Sequence, residues 1–205
     1  MKVLMLNGSP REKGNTYTAL HEMEKVFIEE GVEVEIVTVG NYRTIPCTEC
    51  KACKSTGRCV ADDQTNEIAE KMKSADGIVL GSPIFFASAN PALVMLLDKV
   101  FYSGAVDCSM KVGACVLAAR RGGITAGFDE LNKFLTYKFL AVAGGQYWNG
   151  IHGLEPGEAE QDLEGLQQMR TLALNMIFLM RSIALGKEKY GIPEREPRIS
   201  TNFIR

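Results

Sequence analysis

Residues 1–16 read MKVLMLNGSPREKGNT, in which the apolar run Val3 to Leu6 ends at Asn7-Gly8-Ser9-Pro10 and a helical pattern opens at Asn15-Thr16. This order predicts a β-strand, a loop of phosphate size and a helix start. Gly8 lets the chain turn without a Cβ atom. The free N–H groups of the helix's first turn, together with the helix dipole, favour an anion in the loop.

The loop carries polar groups suited to a terminal phosphate. Ser9 and Thr16 offer hydroxyls, and Arg11 and Lys13 add positive charge. The loop differs from a nucleoside-triphosphate loop, because Gly14 is followed by Asn-Thr where Lys-[Ser/Thr] would hold a γ-phosphate and Mg²⁺, and it lacks the G-x-G-x-x-G of a dinucleotide site. We predict a site for a phosphate monoester, with an ordinary helix-capped turn as the alternative.

Length and composition favour one domain over residues 1–205. The chain has 205 residues, is 46% hydrophobic and has no long Pro/Gly/Ser linker. Its net charge of −2 with interspersed signs disfavours nucleic acid and an anionic membrane surface as partners. The absence of a signal-peptide pattern and of an apolar run of about 18 residues leads us to expect a cytoplasmic protein. In such a chain, close-set cysteines favour metal or redox chemistry over disulfides.

A strand-helix-strand unit follows from the residues after the loop. Apolar residues recur at helical spacing from Thr16 to Glu30, and Gly31 is placed as a C-cap glycine. Val32 to Val39 is β-branched with one polar face, which is typical of a strand near a sheet edge. Short turns in this order predict a right-handed crossover and a parallel sheet.

An irregular segment over residues 45–60 holds four of the six cysteines, namely Cys47, Cys50, Cys53 and Cys59. Thiolates spaced by two, two and five intervening residues can converge on one centre, and Gly57 allows the chain to return. Zinc sites usually come as paired knuckles with a longer spacer, whereas this run is compact like those of ferredoxins. We favour an iron–sulfur cluster, [4Fe–4S], and keep a four-thiolate zinc site and ordinary or disulfide-forming thiols as alternatives.

The middle of the chain predicts a second ligand-facing loop. Asp62-Asp63 can cap a helix that runs to about Ser74, and the apolar run Gly77 to Gly81 is typical of a central parallel strand. In an open α/β sheet ligands lie beyond the carboxyl ends of the strands, so the loop Ser82 to Pro91 should share one crevice with the first loop. Its Phe85-Phe86 pair can pack on a flat ring or simply cover the core.

The next stretch of sequence predicts another helix, another strand and a third loop at the ligand edge. Ala92 to Phe101 is apolar almost all round, which predicts a helix buried both by the sheet and by another subunit. Lys111 to Leu117 predicts a buried strand whose Cys115 is a core thiol. The loop Ala118 to Gly123 then brings a positive group, Arg120, to the same edge.

The last third of the chain predicts one strand and two helices. Phe128 to Leu140 and Glu158 to Leu185 have helical patterns, Gly145 to Ile151 is the last strand, and residues 186–205 form a charged, proline-rich tail that can reach a neighbouring subunit. Five parallel strands, alternating helices and a cysteine-rich loop insertion predict a flavodoxin-like, doubly wound α/β domain.

Several motifs together resemble the NAD(P)H-dependent FMN reductases and, within them, the iron–sulfur flavoproteins of anaerobic archaea and bacteria. The first three are Gly8-Ser9-Pro10-Arg11 with Asn15-Thr16, the cysteine run with Asp62-Asp63, and Ser82-Pro83-Ile84-Phe85-Phe86; the fourth is the ending Thr201 to Arg205. The compact cysteine run is what selects the iron–sulfur branch.

The resemblance implies an FMN site and a cluster site. It implies that Ser9, Arg11, Asn15 and Thr16 surround the FMN phosphate, that Pro83, Ile84, Phe85 and Phe86 line the ribityl chain and one side of the isoalloxazine, and that Arg120, Gly122 and Gly123 meet its pyrimidine edge. Cys47, Cys50, Cys53 and Cys59 would ligate the cluster. The resemblance also implies dimers that pair into tetramers.

The leading hypothesis is an FMN-dependent oxidoreductase that passes electrons between a [4Fe–4S] cluster and the flavin, with ferredoxin or NAD(P)H as donor and a small molecule as acceptor. Two alternatives stay open: a cluster-free NAD(P)H-dependent FMN or quinone reductase, and a redox-sensing metal-binding protein. His21 and His152 are interpreted as surface or packing residues, and no acid–base catalyst is predicted.

Overall fold

The computed structural model describes residues 1–41, 43–197, 199–201 and 203. Within these ranges one sheet has seven strands. They are β1 (Lys2–Asn7), β2 (Glu33–Thr38), β3 (Gly77–Phe85), β4 (Ser88–Ala89), β5 (Val112–Ala119), β6 (Ala141–Val142) and β7 (Gly150–His152).

Six α-helices and one 3-10 turn flank the sheet in the described residues. They are α1 (Asn15–Glu29), α2 (Cys53–Thr56), α3 (Thr65–Ser74), α4 (Pro91–Tyr102), α5 (Ile124–Tyr137), the 3-10 turn Glu158–Gln161 and α6 (Leu163–Tyr190).

The strand order is β2-β1-β3-β5-β6, and β7 pairs with the far end of β5. All of these pairs are parallel: Val3 lies opposite both Val34 and Gly77, and Leu80 lies opposite Cys115. Among the strands of the described residues, only β4 runs antiparallel, as the return strand of a hairpin with β3. This order confirms the predicted flavodoxin-like, doubly wound α/β fold.

The two faces of the sheet carry separate apolar layers. Val3 and Met5 of β1 point into the layer formed with α1 and α6, whereas Leu4 and Leu6 point into the layer with α3, α4 and α5. Successive side chains of a strand point to opposite faces, so a continuous apolar run is what a strand covered on both faces requires. The apolar run at the N-terminus therefore builds both halves of the core.

The predicted last strand over residues 145–151 is wrong in its bounds. The pairing on β5 is shared by two short strands, β6 at its start and β7 at its end. Between them the backbone bonds to a helix side chain instead: Gln168 Oε1 accepts from the N–H groups of Gln146 and Tyr147 at 2.8 and 2.9 Å, and its Nε2 donates to the Tyr147 carbonyl. A buried glutamine on α6 thus takes the hydrogen bonds that a sheet neighbour would have received.

The long C-terminal helix starts and ends later than predicted. The predicted run from Glu158 is broken at Asp162, whose carboxylate caps α6 by accepting from the Gly165 N–H at 2.9 Å. The helix continues through Gly186 to Tyr190, so the predicted tail of residues 186–205 is helical in its first part. Arg198, Asn202, Ile204 and Arg205 of that tail lie outside the described residues. Arg195 lies over the Phe139 ring of its own chain, 4.5 Å from the centroid.

Helix α4 is buried against the sheet, as predicted. Leu93, Leu96, Leu97, Val100 and Phe101 all belong to the core layer on one face of the sheet. The predicted cap at Asp62-Asp63 differs, because α3 begins at Thr65 and the Asp63 carboxylate accepts from the Thr65 N–H at 3.0 Å.

Helix α6 is long and apolar enough, by length and composition, to cross a membrane. One face of it, including Met169, Leu172, Met176 and Met180, packs in the same core layer as α1. The core helix of a globular domain meets the same length and composition test.

Asn90 joins three of these elements, and its replacement tests the fold. Its Nδ2 donates to the Gly8 carbonyl at 2.6 Å, its Oδ1 caps α4 by accepting from the Ala92 N–H at 3.0 Å, and its own N–H donates to Ser82 Oγ at 2.8 Å. We expect Asn90→Ala to lower the free energy of unfolding by about 2–3 kcal/mol in a urea titration, because a helix cap and a buried hydrogen bond are both lost.

The exposed Asn41→Ala is the matched control and should change that free energy by less than about 0.5 kcal/mol. Equal effects of the two substitutions would show that Asn90 does not hold the loops together.

Candidate functional site

A cavity of about 390 Å³, the main cavity, lies beyond the carboxyl ends of β1, β3 and β5. Its wall comes from the loop before α1, from the end of β3 and from the residues that follow β5. Eight of the predicted site residues line it: Ser9, Arg11, Asn15, Thr16, Pro83, Ile84, Phe85 and Arg120. Parallel strands bring their carboxyl ends to one edge, and this is why residues far apart in sequence meet there.

The loop before α1 is held by its own side chains. Asn7 Oδ1 accepts from the Ser9 N–H and Ser9 Oγ accepts from the Arg11 N–H, each at 3.1 Å. The Gly8 N–H donates to the Gly81 carbonyl at 2.7 Å, and a Cβ at position 8 would lie 2.9 Å from that oxygen. Glycine at this position therefore lets the loop pass close against β3.

The start of α1 has a buried hydroxyl for which the described residues supply no hydrogen-bond partner. Gly14 precedes the helix without a side-chain cap. Thr16 Oγ1 is buried and has no hydrogen-bond partner among the described residues. A buried hydroxyl without a partner is costly, and a helix N-terminus attracts anions. These two features fit a bound phosphate group.

Asn15 and Arg11 have further contacts beside this helix start. Asn15 Oδ1 accepts from the Ala159 N–H at 3.2 Å, which ties α1 to the 3-10 turn. Arg11 Nη1 donates to the Leu154 carbonyl at 3.2 Å across the mouth of the main cavity. The Glu158 carboxylate accepts hydrogen bonds from the Leu154 and Glu155 N–H groups, and these bonds hold the pKa of that carboxyl below its ordinary value. They also fix the position of Leu154 at the mouth of the main cavity.

The second predicted loop is a β-hairpin. Strand β3 continues to Phe85, and Ile84 and Phe85 pair with Ala89 and Ser88 of β4. The two tip residues, Phe86 and Ala87, both have positive φ angles, 50° and 62°, as a tight hairpin turn requires. Phe86 is fully exposed at this tip and does not line the main cavity.

Gly122 and Gly123 lie on a neighbouring cavity, also of about 390 Å³, which we call the side cavity. Gly123 has φ +97° at the start of α5. A Cβ atom added at this position would lie within 3.0 Å of atoms of Ile84 and Ala87, so a larger residue would not fit. The side cavity is walled on its other side by Tyr147 and Trp148, whose ring centroids are 4.6 Å apart.

The sequence reasoning missed the contribution of the chain after β7. Gly153 and Leu154 complete the main cavity, and His152 and Asp162 line the side cavity, with His152 Nδ1 3.3 Å from Asp162 Oδ2. These residues could have been found from the rule that ligands bind beyond the carboxyl ends of parallel strands, because they follow the last strand. The predicted strand over residues 145–151 ends within one residue of the end of β7, so this rule could have been applied to the residues that follow it.

Cys47, Cys50, Cys53 and Cys59 all line a third cavity of about 160 Å³, the cysteine cavity. Glu49 and Lys51 flank Cys50 and have φ angles of 54° and 63°, and Gly57 ends α2 at φ +66°. Asn66 holds the last cysteine, because its Oδ1 accepts from the Cys59 N–H at 3.0 Å and its Nδ2 donates to the Cys59 carbonyl at 2.8 Å. Within the described ranges, no three His, Cys, Asp or Glu side chains are arranged to hold a single metal ion.

These features define a class of protein: a flavodoxin-like α/β domain with a phosphate-type loop, an aromatic hairpin and a positively charged loop at one sheet edge. Residues 1–152 match the family model of the NADPH-dependent FMN reductases. The chain belongs to this family and, within it, to the iron–sulfur flavoprotein branch; it is a flavin-dependent oxidoreductase.

Relatives along nearly the whole chain support this assignment. An iron–sulfur flavoprotein of Methanocaldococcus jannaschii is 33% identical over 191 residues, which cover 89% of this chain and 99% of that protein. The iron–sulfur flavoprotein of Methanosarcina thermophila is 28% identical over 193 residues, covering 92% of this chain and 100% of that protein.

Solved structures agree in fold. RosB with a bound 8-demethyl-8-formylriboflavin-5'-phosphate intermediate superposes with a TM-score of 0.72 at 17% identity, covering 100% of this chain and 94% of that one. A flavodoxin from the domain Archaea gives a TM-score of 0.61 at 14% identity, covering 88% and 99%.

The six cysteines fall into two groups that a thiol reagent can separate. Cys108 and Cys115 are buried, and burial raises the pKa of the Cys108 thiol to about 11 and that of Cys115 to about 12. The other four are exposed or half-buried. We expect Ellman's reagent at pH 8 to label four thiols rapidly in the folded, metal-free protein and the remaining two only after unfolding in guanidinium chloride.

Cys108→Ala should leave the rapid count unchanged and reduce the total after unfolding by one. Rapid labelling of all six thiols would contradict the burial of this pair.

Proposed function

We propose that this enzyme passes electrons between a [4Fe–4S] cluster in the cysteine cavity and FMN in the main cavity. One observation carries the proposal: four of the six cysteines line a single cavity. Cysteine thiolates are the usual ligands of iron–sulfur clusters. The two curated relatives described above also bear the name iron–sulfur flavoprotein.

The FMN assignment uses the walls of the main cavity together with two features beside it, the hairpin tip and the Gly122-Gly123 loop of the side cavity. In the proposal, Ser9, Arg11, Asn15 and Thr16 hold the phosphate at the start of α1, and Arg120 with Gly122 and Gly123 meets the pyrimidine edge. Pro83, Ile84 and Phe85 line the ribityl chain and one side of the ring, with Phe86 at the hairpin tip. The unpartnered Thr16 hydroxyl, the open helix N-terminus and Arg11 are the features that suit a phosphate dianion.

Bound FMN would supply both hydride and single-electron chemistry, and a cluster would supply single-electron chemistry alone. We therefore propose ferredoxin or NAD(P)H as the electron donor. We place the small-molecule acceptor in the side cavity, because Tyr147 and Trp148 offer it aromatic faces next to the Gly122-Gly123 loop.

A cluster-free NAD(P)H-dependent FMN or quinone reductase is the second candidate. The observation that favours it is that no three potential ligands in the described residues surround a single point. In that case the four cysteines would be ordinary reactive thiols on the surface of the same flavoprotein.

We also propose a cytoplasmic homo-oligomer, a dimer or tetramer. The outward face of α6 carries Leu174, Phe178 and Leu185, which are 50%, 70% and 67% exposed and recur at helical spacing. An exposed apolar stripe of this kind is typical of an interface.

Thr16→Val tests the phosphate site through two opposite effects. The substitution removes a buried hydroxyl that has no partner in the described part of the chain, so the FMN-free protein should be equally stable or up to about 1 kcal/mol more stable. FMN affinity, measured by titrating the apoprotein, should fall about tenfold, because one hydrogen bond to a charged phosphate is lost.

Thr18→Val is the matched control, since it lies on the same helix outside the main cavity. Unchanged FMN affinity in Thr16→Val would remove this hydroxyl from the site.

Cys59→Ser tests the electron-transfer function. A cubane needs four ligands, so we expect this variant to lose iron or to hold a labile cluster while it keeps FMN, because the phosphate loop lies on another element. In stopped-flow experiments its flavin should be reduced slowly by reduced ferredoxin and at the wild-type rate by NAD(P)H, if NAD(P)H is the donor.

Cys108→Ala is the matched control, because the Cys108 thiol lies outside the cysteine cavity. This variant should keep both iron and the fast reaction with ferredoxin. If Cys59→Ser also keeps wild-type iron and fast single-electron reduction, the route from cluster to flavin is wrong.

A further inference from the structure

Helix α4 places a charged side chain in the protein interior. The Lys99 side chain is 2% exposed, and its ammonium donates a hydrogen bond to Asp63 Oδ2; the Asp63 side chain is 4% exposed. Burying a charge is costly unless it is paired, and even a paired buried charge is weak evidence of a purely stabilising role. The position of this ion pair therefore calls for a functional explanation.

Asp63 is fully hydrogen-bonded. Its Oδ1 accepts from the N–H and hydroxyl of Thr65 at 3.0 and 2.6 Å, and its Oδ2 accepts from the Ile45 N–H at 3.4 Å as well as from Lys99. Burial raises the pKa of the Asp63 carboxyl, but these hydrogen bonds outweigh burial and hold the pKa below its ordinary value. The Asp63 side chain is therefore held as a carboxylate, and it forms a salt bridge with the Lys99 side chain.

Lys99 itself has spare donors. An ammonium group carries three N–H bonds, and among the described residues only Asp63 accepts one from it. Lys99 also lines the cysteine cavity together with the four cysteines. A buried, incompletely bonded cation thus forms part of the wall of the proposed cluster site.

The same ion pair joins both ends of the cysteine loop. Ile45 opens the loop of residues 45–60 and Asp63 follows its end, so the Asp63 carboxylate connects the two ends to α4. The other charged residues on this cavity wall are Glu49 and Lys51. The distance from Lys51 Nζ to Glu49 Oε1 is 3.7 Å, and both side chains are mostly exposed to solvent. Water and salt screen such exposed charges, whereas Lys99 is not screened in this way.

We propose that Lys99 is a positioning residue that sets the reduction potential of the cluster, its buried positive charge favouring the reduced form while Asp63 moderates that charge. This inference rests on the proposed function. Its physical basis is that one added electron adds one negative charge, and that a nearby fixed charge in a poorly screened site acts strongly on it. The potentials of iron–sulfur clusters depend on such local charge.

The test is a potentiometric titration of the anaerobically purified holoenzyme, followed by electron paramagnetic resonance, for wild type and four variants. Lys99→Met should lower the cluster potential, Asp63→Asn should raise it, and Lys99→Arg should leave it near that of wild type. The flavin potential serves as the internal reference. If the ion pair had a purely structural role, Lys99→Met and Asp63→Asn would not shift the cluster potential in opposite directions.

The surface variant Lys54→Met is the matched control, because Lys54 is an exposed residue of the same loop and should produce little shift. Shifts of the same sign in Lys99→Met and Asp63→Asn, no shift in either, or an equal shift in Lys54→Met would overturn the inference. Wild-type protein without iron and sulfide would overturn the proposed function and this inference together.

Loss of the cluster from a variant also distinguishes the two roles. If only one of Lys99→Met and Asp63→Asn loads iron, the direction in which its cluster potential shifts tests the inference. If neither does, the double variant Asp63→Asn/Lys99→Met decides, because it leaves no unpaired charge. Restored iron with a cluster potential below that of wild type would support the charge effect, because Lys99 lines the cysteine cavity and Asp63 does not. Restored iron at the wild-type potential, or a double variant that keeps FMN but still lacks iron, would overturn it in favour of packing.

Discussion

Strand β1 is the constraint on which the rest of the structure depends. It is hydrogen-bonded in register to β2 on one edge and to β3 on the other, and its alternate residues feed the apolar layers on both faces of the sheet. A strand held on four sides cannot slip by one residue without reversing its faces. The point at which it ends, Asn7, is therefore fixed, and with it the start of the phosphate-type loop.

The flavin side and the cysteine side of the molecule are built by different means. The main cavity is formed by strand ends, and Asn90 locks two of those ends and α4 through side-chain hydrogen bonds. The cysteine loop has only one short helix of its own and is attached through Asp63, Lys99 and Asn66. A few buried polar contacts therefore determine where the four thiols lie.

The sequence predicted the features that arise from local pattern. The apolar run of β1, the helix after Asn15 and the left-handed Gly31 at φ +73° are all present, because strand burial, helix spacing and glycine conformation act over a few residues. The divided last strand was not predictable in this way, since it depends on Gln168 some twenty residues away. The role of Lys99 was hidden for the same reason: it sits in an apolar helix pattern, and only the tertiary fold shows that it faces Asp63 and the cysteines.

The central claim is that one chain holds a flavin and a cluster in two separate cavities, and chemical analysis of the wild-type protein tests it most directly. Iron, acid-labile sulfide, zinc and FMN should be measured on protein purified without oxygen. We predict about four iron and about four sulfide per chain, as a [4Fe–4S] cluster requires, together with about one FMN. One FMN per chain without iron or sulfide, or zinc in their place, would contradict the account.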